Sequence, residues 1–153
     1  MDQQPKPLFV YGTLCAAPLL AWALTGDCAN VDTAEKLAHP ATVRGYGRFS
    51  LHHCDFPGAV KLDGASSIEG LLLRLQDKVQ RRKLDDFEGE SYKVTPVEVV
   101  LQSGERVQAD MYVWDGDAAV TDDEWKLDTF IKERLEDWLD IFSGMELIGD
   151  TEN

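Results

Sequence analysis

The segment Leu8-Phe9-Val10-Tyr11-Gly12-Thr13-Leu14 contains the strand and the turn from which the predicted fold starts. Residues 8–11 form a short apolar run, which predicts a buried strand, and Gly12 predicts a turn directly after it. Since glycine adopts backbone conformations that other residues avoid, successive amide groups in this turn could converge on an anion. The spacing fits neither a dinucleotide-binding glycine motif nor a P-loop. Taken alone, the segment is most simply an ordinary turn between a strand and a helix.

A second segment, Leu84 to Tyr92 with the sequence LDDFEGESY, places one carboxylate where a predicted helix ends. A short helix is predicted from Asp77 to Phe87, so that Glu88 lies at its end, just before Gly89. The negative end of the helix, the neighbouring acids and partial burial would all raise the pKa of Glu88. A carboxyl with a raised pKa can accept and return a proton near neutral pH, which makes Glu88 a candidate general acid and base. Alternatively, Glu88 is one surface acid among 28 Asp and Glu residues.

The other predicted elements make an α+β fold, in which a mostly antiparallel, curled sheet carries a few helices on its outside. A helix is predicted from Pro18 to about Gly26. Thr121 and Glu124 predict a capping box for a last helix, whose apolar residues recur at helical spacing from Leu127 to Phe142. The predicted strands cover Thr42 to Leu51, Gly58 to Leu62, Ser67 to Leu75, Val94 to Leu101 and Arg106 to Trp114, with a hairpin turn at Ser103-Gly104.

The composition restricts the class of protein. With 153 residues and 44% hydrophobic content, the chain is predicted to form a single domain at residues 8–149, after a flexible arm at residues 1–7 and before a tail at residues 150–153. Its net charge of −13 argues against binding to nucleic acid or to an anionic membrane surface, since both attract Lys and Arg. The chain starts without the pattern of a secretion signal, and no apolar run is long enough to span a membrane, so we expect a cytoplasmic protein.

The cysteines and histidines predict neither a disulfide framework nor a metal site. Cys15, Cys28 and Cys54 are odd in number and lack a C-x-x-C spacing, which suits free thiols in a reducing compartment. His52 and His53 are adjacent, and adjacent residues of a strand point to opposite faces, so that they make a poor metal clamp. We therefore expect no metal.

The segments FVYGTL at residues 9–14 and LDDFEGESY at residues 84–92, in this order, resemble the γ-glutamylcyclotransferase-like family. The similarity is greatest to its fungal and plant members, described as avirulence-induced proteins. It extends through residues 44–49 with Phe56-Pro57, then residues 68–70 and 109–114, and Trp125 also fits, so that it covers most of the chain. The resemblance implies a small, mostly antiparallel β-barrel flanked by helices.

The resemblance also implies an activity and the residues that perform it. Members of the family cyclise a γ-glutamyl group to 5-oxoproline and release the amine, and this chemistry needs no metal or organic cofactor. The catalytic acid and base would be Glu88. The substrate loop would consist of Tyr11, Gly12, Thr13 and Leu14, and Tyr92 would line the pocket or pack in the core. Many relatives carry Arg after that tyrosine, whereas this chain has Lys93, which lacks the planar fork that Arg uses for bidentate contacts.

We therefore expect a γ-glutamylcyclotransferase-type enzyme that acts on a small γ-glutamyl substrate, as a monomer or a weak dimer. Two alternatives from other classes keep the same fold. The chain could be a non-catalytic protein that binds a small molecule or serves in a stress response, since fold does not fix function. It could also be an interaction module that uses acidic residues of its last helix, namely Glu133, Glu136 and Asp137.

Overall fold

The computed structural model describes residues 5–51, 54–88, 92–116 and 119–141. The predictions at His52-His53, at residues 89–91 and after residue 141 fall outside these ranges. The strands are β1 (Leu8–Val10), β2 (Ala38–Arg44), β3 (Tyr46–Leu51), β4 (Pro57–Lys61), β5 (Ser67–Leu73), β6 (Tyr92–Leu101), β7 (Arg106–Trp114) and β8 (Val120–Glu124). The α-helices are α1 (Ala17–Thr25), α2 (Val31–Leu37), α3 (Lys78–Glu88) and α4 (Leu127–Glu133), and residues 135–141 are also helical.

Five of these strands close into a barrel in the order β1-β5-β2-β6-β7. The strand pairs of this barrel are antiparallel except for β1 with β7, which run parallel with Leu8 opposite Asp110. A second sheet has the order β4-β3-β8. The prediction of an α+β fold with a small, mostly antiparallel β-barrel flanked by helices is therefore confirmed.

Strand β1 is buried on both faces, which explains its unbroken apolar sequence. Because successive side chains of a strand point to opposite faces, its residues divide between two parts of the core. Phe9 packs inside the barrel, whereas Leu8 and Val10 pack among residues of α1 and α3. Tyr11 continues the alternation, and its ring stacks near that of Phe9 with 6.4 Å between the centroids. The short strand therefore joins the barrel to the helices and brings Tyr11 to the start of the predicted site loop.

Helices α1 and α3 confirm the predicted ones. Pro18 lies in the first turn of α1, and Gly26 ends it with a φ of +79°. Before α3, the Asp77 carboxylate accepts the Gln80 N–H at 2.9 Å and so caps the start of the helix. The Gln80 side chain accepts the N–H of Gln76 at 2.7 Å rather than that of Asp77, so that the two residues do not form a full capping box. None of the helices in the described ranges is long and apolar enough to cross a membrane.

The prediction of one continuous strand from Thr42 to Leu51 is wrong. The structure divides it at Gly45, whose φ of +89° favours glycine. Strand β2, before this break, belongs to the barrel, whereas β3, after it, belongs to the second sheet. The turn therefore transfers the chain from one sheet to the other. Helix α2 (Val31–Leu37) is missing from the prediction.

The predicted capping box at Thr121 and Glu124 is also wrong. Both residues lie in β8, which pairs with β3, and the Thr121 hydroxyl donates to the Ser50 carbonyl at 3.0 Å. Pairing with a distant strand has therefore overridden a local capping pattern. Helix α4 starts three residues later without a side-chain cap and is interrupted at Arg134. Its predicted apolar face is nevertheless present, since Phe130 is buried.

We expect Gly70→Ala to destabilise the protein, because β1 passes very close to Gly70 on β5. A Cβ atom at this position would overlap the Val10 carbonyl oxygen and would lie 2.8 Å from Cζ of Phe9. The free energy of unfolding should fall by roughly 1–3 kcal/mol, as for other overpacked cores, and urea unfolding measures it. Gly64→Ala is the control, since a Cβ there meets nothing within 4 Å. Equal unfolding midpoints for the two variants would contradict this account of the β1–β5 contact.

Candidate active site

Glu88 is the last residue of α3, and its position follows from the helical repeat. Leu84, one turn earlier on the same face, is fully buried against residues of α1 and the barrel. The Lys83 ammonium donates to the Leu24 carbonyl at 2.9 Å and ties α3 to the end of α1. With Leu84 anchored, the side chain at position 88 faces the barrel. Asp86 is exposed, because it lies on the opposite side of the helix.

A small pocket lies at this junction. It is lined by Val10, Tyr11, Gly12, Thr13, Phe56, Pro57, Glu88, Tyr92 and Tyr112. Five of the predicted site residues therefore meet there, although they come from distant parts of the chain. Leu14 does not line the pocket, since it is fully buried in the core. Lys93 does not line it either, because its side chain is exposed, next to Tyr92 in the alternating pattern of β6.

Four lining residues were not predicted as site residues, and one of them, Val10, directly precedes the predicted loop. Phe56 and Pro57 come from the start of β4, and Tyr112 comes from β7. The register of β6 with β7 places Tyr92 opposite Trp114, two residues from Tyr112. Aromatic residues at alternate positions of a predicted hairpin are the signal that could have identified Tyr112. Phe56 and Pro57 belong to the stretch that resembles the family, but no local signal assigns them to the site.

The loop after β1 offers backbone donors to the pocket. Its short 3₁₀ helix uses the N–H groups of Cys15 and Ala16, which donate to the Gly12 and Thr13 carbonyls at 2.9 and 3.0 Å. Within the described ranges, the N–H groups of Gly12, Thr13 and Leu14 donate no hydrogen bond. Three successive donors are therefore left for an anion or a carbonyl oxygen.

Gly12 is needed here for space rather than for a left-handed conformation. Its φ is −115°, which other residues also adopt. A Cβ atom would lie only 3.0 Å from two ring carbons of Pro57, across the pocket. The close approach of this loop to β4 therefore favours glycine at this position.

Arg48 and Tyr11 fix the loop from the outside. The Arg48 guanidinium donates to the Tyr11 carbonyl at 2.8 Å and to the Glu69 carbonyl at 3.3 Å, and lies 5.4 Å from the ring centre of Trp125. The Tyr11 hydroxyl donates to the Tyr112 carbonyl and accepts the Ala59 N–H at 3.1 Å. Contacts to both sheets therefore hold the residue that precedes Gly12.

Burial raises the pKa of Glu88 from 4.5 to about 8. The sequence also predicted contributions from the helix end and from neighbouring acids, whereas among the described residues the shift comes from burial. Two of those acids are accounted for by their surroundings, because Asp85 pairs with Arg81 and Asp86 is exposed. Glu88 is therefore suited to exchange a proton near neutral pH.

Cys15 adjoins the loop but is held as a neutral thiol. Burial raises the pKa of its thiol to about 12, and Sγ donates to the Val10 carbonyl at 3.4 Å. A thiol is a weak nucleophile unless it loses its proton. In the described part of the chain, no group of three or more His, Cys, Asp or Glu residues is arranged to hold a metal ion.

Residues 8–138 match the family described as γ-glutamyl cyclotransferase, AIG2-like. The chain belongs to this family. The match includes every residue that lines the pocket, so that the site lies within the part of the chain shared by the γ-glutamyl cyclotransferase-like family. No curated protein matches the sequence significantly.

Solved structures share the fold of this γ-glutamyl cyclotransferase-like protein. An Arabidopsis thaliana protein solved in solution is 25% identical, with a TM-score of 0.64 over 95% of this chain and 85% of that one. A second Arabidopsis thaliana protein is 19% identical, with a TM-score of 0.61 over 97% and 94%. A structure named γ-glutamyl cyclotransferase is 14% identical, with a TM-score of 0.58 over 75% and 69%, and at this identity the likeness concerns the fold.

We expect Glu88→Gln to change how stability depends on pH. Because the folded pKa of about 8 exceeds the ordinary 4.5, stability is highest when Glu88 is protonated. That stability is fully present below about pH 4.5 and is lost as the pH rises through about 8. Glutamine does not titrate, so the variant should lose less stability over this range, with a difference on the order of a few kcal/mol.

Urea unfolding of both proteins near pH 5 and near pH 9 measures this difference. Asp86→Asn is the matched control, since it removes an exposed acid from the same helix. A Glu88→Gln protein that loses as much stability as the wild type over this range would refute the burial of an ionisable carboxyl here.

Proposed function

We propose that this protein is a γ-glutamylcyclotransferase-type enzyme that converts the γ-glutamyl group of an amide or peptide to 5-oxoproline and releases the amine. Glu88 is the general acid and base. The observation that carries this proposal is the meeting of the Glu88 carboxyl, whose pKa is raised to about 8, with a loop of unengaged amide donors in one pocket. Membership of the family supports the same reaction.

The reaction needs a base because the nucleophile belongs to the substrate. The α-amine of a γ-glutamyl group is protonated at neutral pH, and a protonated amine cannot attack the γ-carbonyl. Two protons pass from the α-nitrogen to the leaving nitrogen, because the α-ammonium carries three protons and the nitrogen of 5-oxoproline carries one. Glu88 removes the first proton, a bond forms between the α-nitrogen and the γ-carbon, and Glu88 gives that proton to the leaving nitrogen as its amide bond breaks. The second proton leaves the α-nitrogen by the same route, so that the amine is released as an ammonium ion. A pKa near 8 suits both transfers, because the proton is neither held too tightly nor released too early.

The loop orients the substrate and stabilises charge. The free N–H groups of Gly12 and Thr13, which line the pocket, are donors for the γ-glutamyl part. As the amine attacks, the carbonyl oxygen gains negative charge, and fixed backbone donors stabilise that charge without rearrangement. Arg48 keeps this loop in place through the Tyr11 carbonyl. Cys15 takes no covalent part in this scheme, because its thiol is neutral.

The finer assignments belong to the same proposal. Residues 8–149 act as one catalytic domain, Tyr92 lines the substrate pocket, and the reaction uses neither a metal nor an organic cofactor. The cytoplasm suits the free cysteines Cys15, Cys28 and Cys54, since it keeps thiols reduced. The alternative, a protein that binds a γ-glutamyl ligand without turnover, uses the same pocket and is separated by the assay below.

We expect Glu88→Gln to abolish 5-oxoproline formation from a panel of γ-glutamyl peptides, γ-glutamyl amino acids and γ-glutamyl amines. The loss in kcat should be about 100-fold or more, as is typical for a general base. Asp86→Asn should retain wild-type rates. Binding of a panel member by calorimetry, without turnover by the wild type, would support the non-catalytic alternative. Full activity in Glu88→Gln would remove Glu88 from the mechanism.

The pH dependence of kcat/KM should follow the ionisation of Glu88. Only the carboxylate acts as the base, so the rate should rise with pH through about 8. At higher pH the rate should fall as the free substrate loses its own ammonium proton. Initial rates of 5-oxoproline release between about pH 6 and about pH 10 test this profile. A rate independent of pH below 8 would contradict the assignment.

A further inference from the structure

The three tyrosines that line the pocket donate their hydroxyl protons away from Glu88. The Tyr11 hydroxyl donates to the Tyr112 carbonyl, and the Tyr92 hydroxyl donates to the Pro57 carbonyl at 2.6 Å. The Tyr112 hydroxyl donates to Oδ1 of Asp85 at 2.6 Å. A tyrosine has a single hydroxyl proton, so none of the three can at the same time donate to Glu88.

Two of these acceptors are backbone carbonyls, but the third is a side chain on the helix of Glu88 itself. Asp85 precedes Glu88 by three residues, close to one helical turn. Its Oδ1 also accepts from Nε of Arg81 at 3.0 Å, and Arg81 reaches Asp110 on β7 at 3.0 Å. The Asp85 carboxylate is therefore held in place while it engages Tyr112, which is also on β7.

We propose that Asp85 is a positioning residue, which withholds the Tyr112 hydroxyl proton from Glu88 and fastens the last turn of α3 to β7. This inference rests on the proposed role of Glu88. The proposed role of Asp85 differs from the one that the sequence suggests, in which the charge of Asp85 repels that of Glu88. It also gives a role at the site to Asp85, which lies on α3 but does not line the pocket.

The surroundings of Glu88 show why a withheld proton matters. Burial is the main cause of the raised pKa of Tyr11 on the loop after β1, of Cys15 in the 3₁₀ helix, of Tyr92 on β6 and of Tyr112 on β7, and the charge of Glu88 raises each pKa further. These neighbours are neutral, and no cation is among the described residues that line the pocket. A hydrogen bond from any of them would stabilise the carboxylate and lower the pKa of Glu88. The base would then be weaker.

NMR titration of the Glu88 carboxyl carbon tests this role without requiring turnover. Asp85→Ala frees the Tyr112 hydroxyl, so the midpoint should move down by about one pH unit, the size expected for a new hydrogen bond to a charged group. Asp85→Asn should keep the wild-type midpoint, because its amide oxygen still accepts the proton. In Asp85→Ala with Tyr112→Phe no hydroxyl is left to donate, and the midpoint should return to that of the wild type. Asp86→Ala is the exposed control.

Two results would overturn the proposal. An unchanged midpoint in Asp85→Ala would show that the Tyr112 proton does not reach Glu88. A lowered midpoint that persists in the double variant, or that appears equally in Asp85→Asn, would show repulsion between like charges instead. The Asp85→Asn variant keeps the proposal testable even where Asp85→Ala fails to fold, because a lowered midpoint in it would overturn the proposal. In the active protein, the acid limb of the kcat/KM profile should move with the NMR midpoint. A wild type that forms no 5-oxoproline would refute the proposed function, but the NMR titration would still test the role of Asp85.

Discussion

The site depends on the burial of one carboxyl where α3 ends against the barrel. Burying a carboxylate costs free energy unless a charge or a hydrogen bond compensates it, and within the described residues neither is present at Glu88. The protein therefore holds a group that favours its neutral form, and it does so at the expense of stability above neutral pH. Packing elsewhere offsets this cost, chiefly around Leu84, which is fully buried one turn before Glu88.

The closure of the barrel determines what surrounds that carboxyl. Strand β1 has only three residues, yet it pairs with β5 on one side and with β7 on the other. Its close approach to Gly70 fixes its distance from β5, and Gly12 then lets the loop pass Pro57. As a result, the free amides after β1 and the Tyr112 ring on β7 reach the same pocket as Glu88. A glycine at each of these two contacts is a condition for the site.

The elements of the fold could be predicted from the sequence where a short segment carries the pattern that determines them. The apolar run before Gly12, the helix bounded by Pro18 and Gly26, and the end of α3 near Glu88 are all properties of short segments, and each is found. The errors arise where distant strands compete with local patterns. Thr121 has the pattern of a helix cap but lies in a strand that pairs with β3. The turn at Gly45 divides one predicted strand between two sheets. The pKa of Glu88 was predicted in its direction and with burial among its causes, whereas the separation of burial from the neighbouring acids required knowledge of which acids are paired.

The pocket wall formed by Phe56 and Pro57 was hardest to foresee, because its support comes from the far end of the chain. The Asp55 carboxylate accepts from Nε of Arg134 and from the indole of Trp138, both at 2.9 Å, and its carbonyl accepts from the indole of Trp125 at 2.8 Å. The wall is in turn tied to the barrel, since Tyr92 donates to the Pro57 carbonyl. A segment that reads as a separate acidic helix thus positions the side of the pocket opposite the base. Since that wall faces the Gly12 loop at van der Waals distance, the described helical residues after Trp125 belong to the architecture of the site.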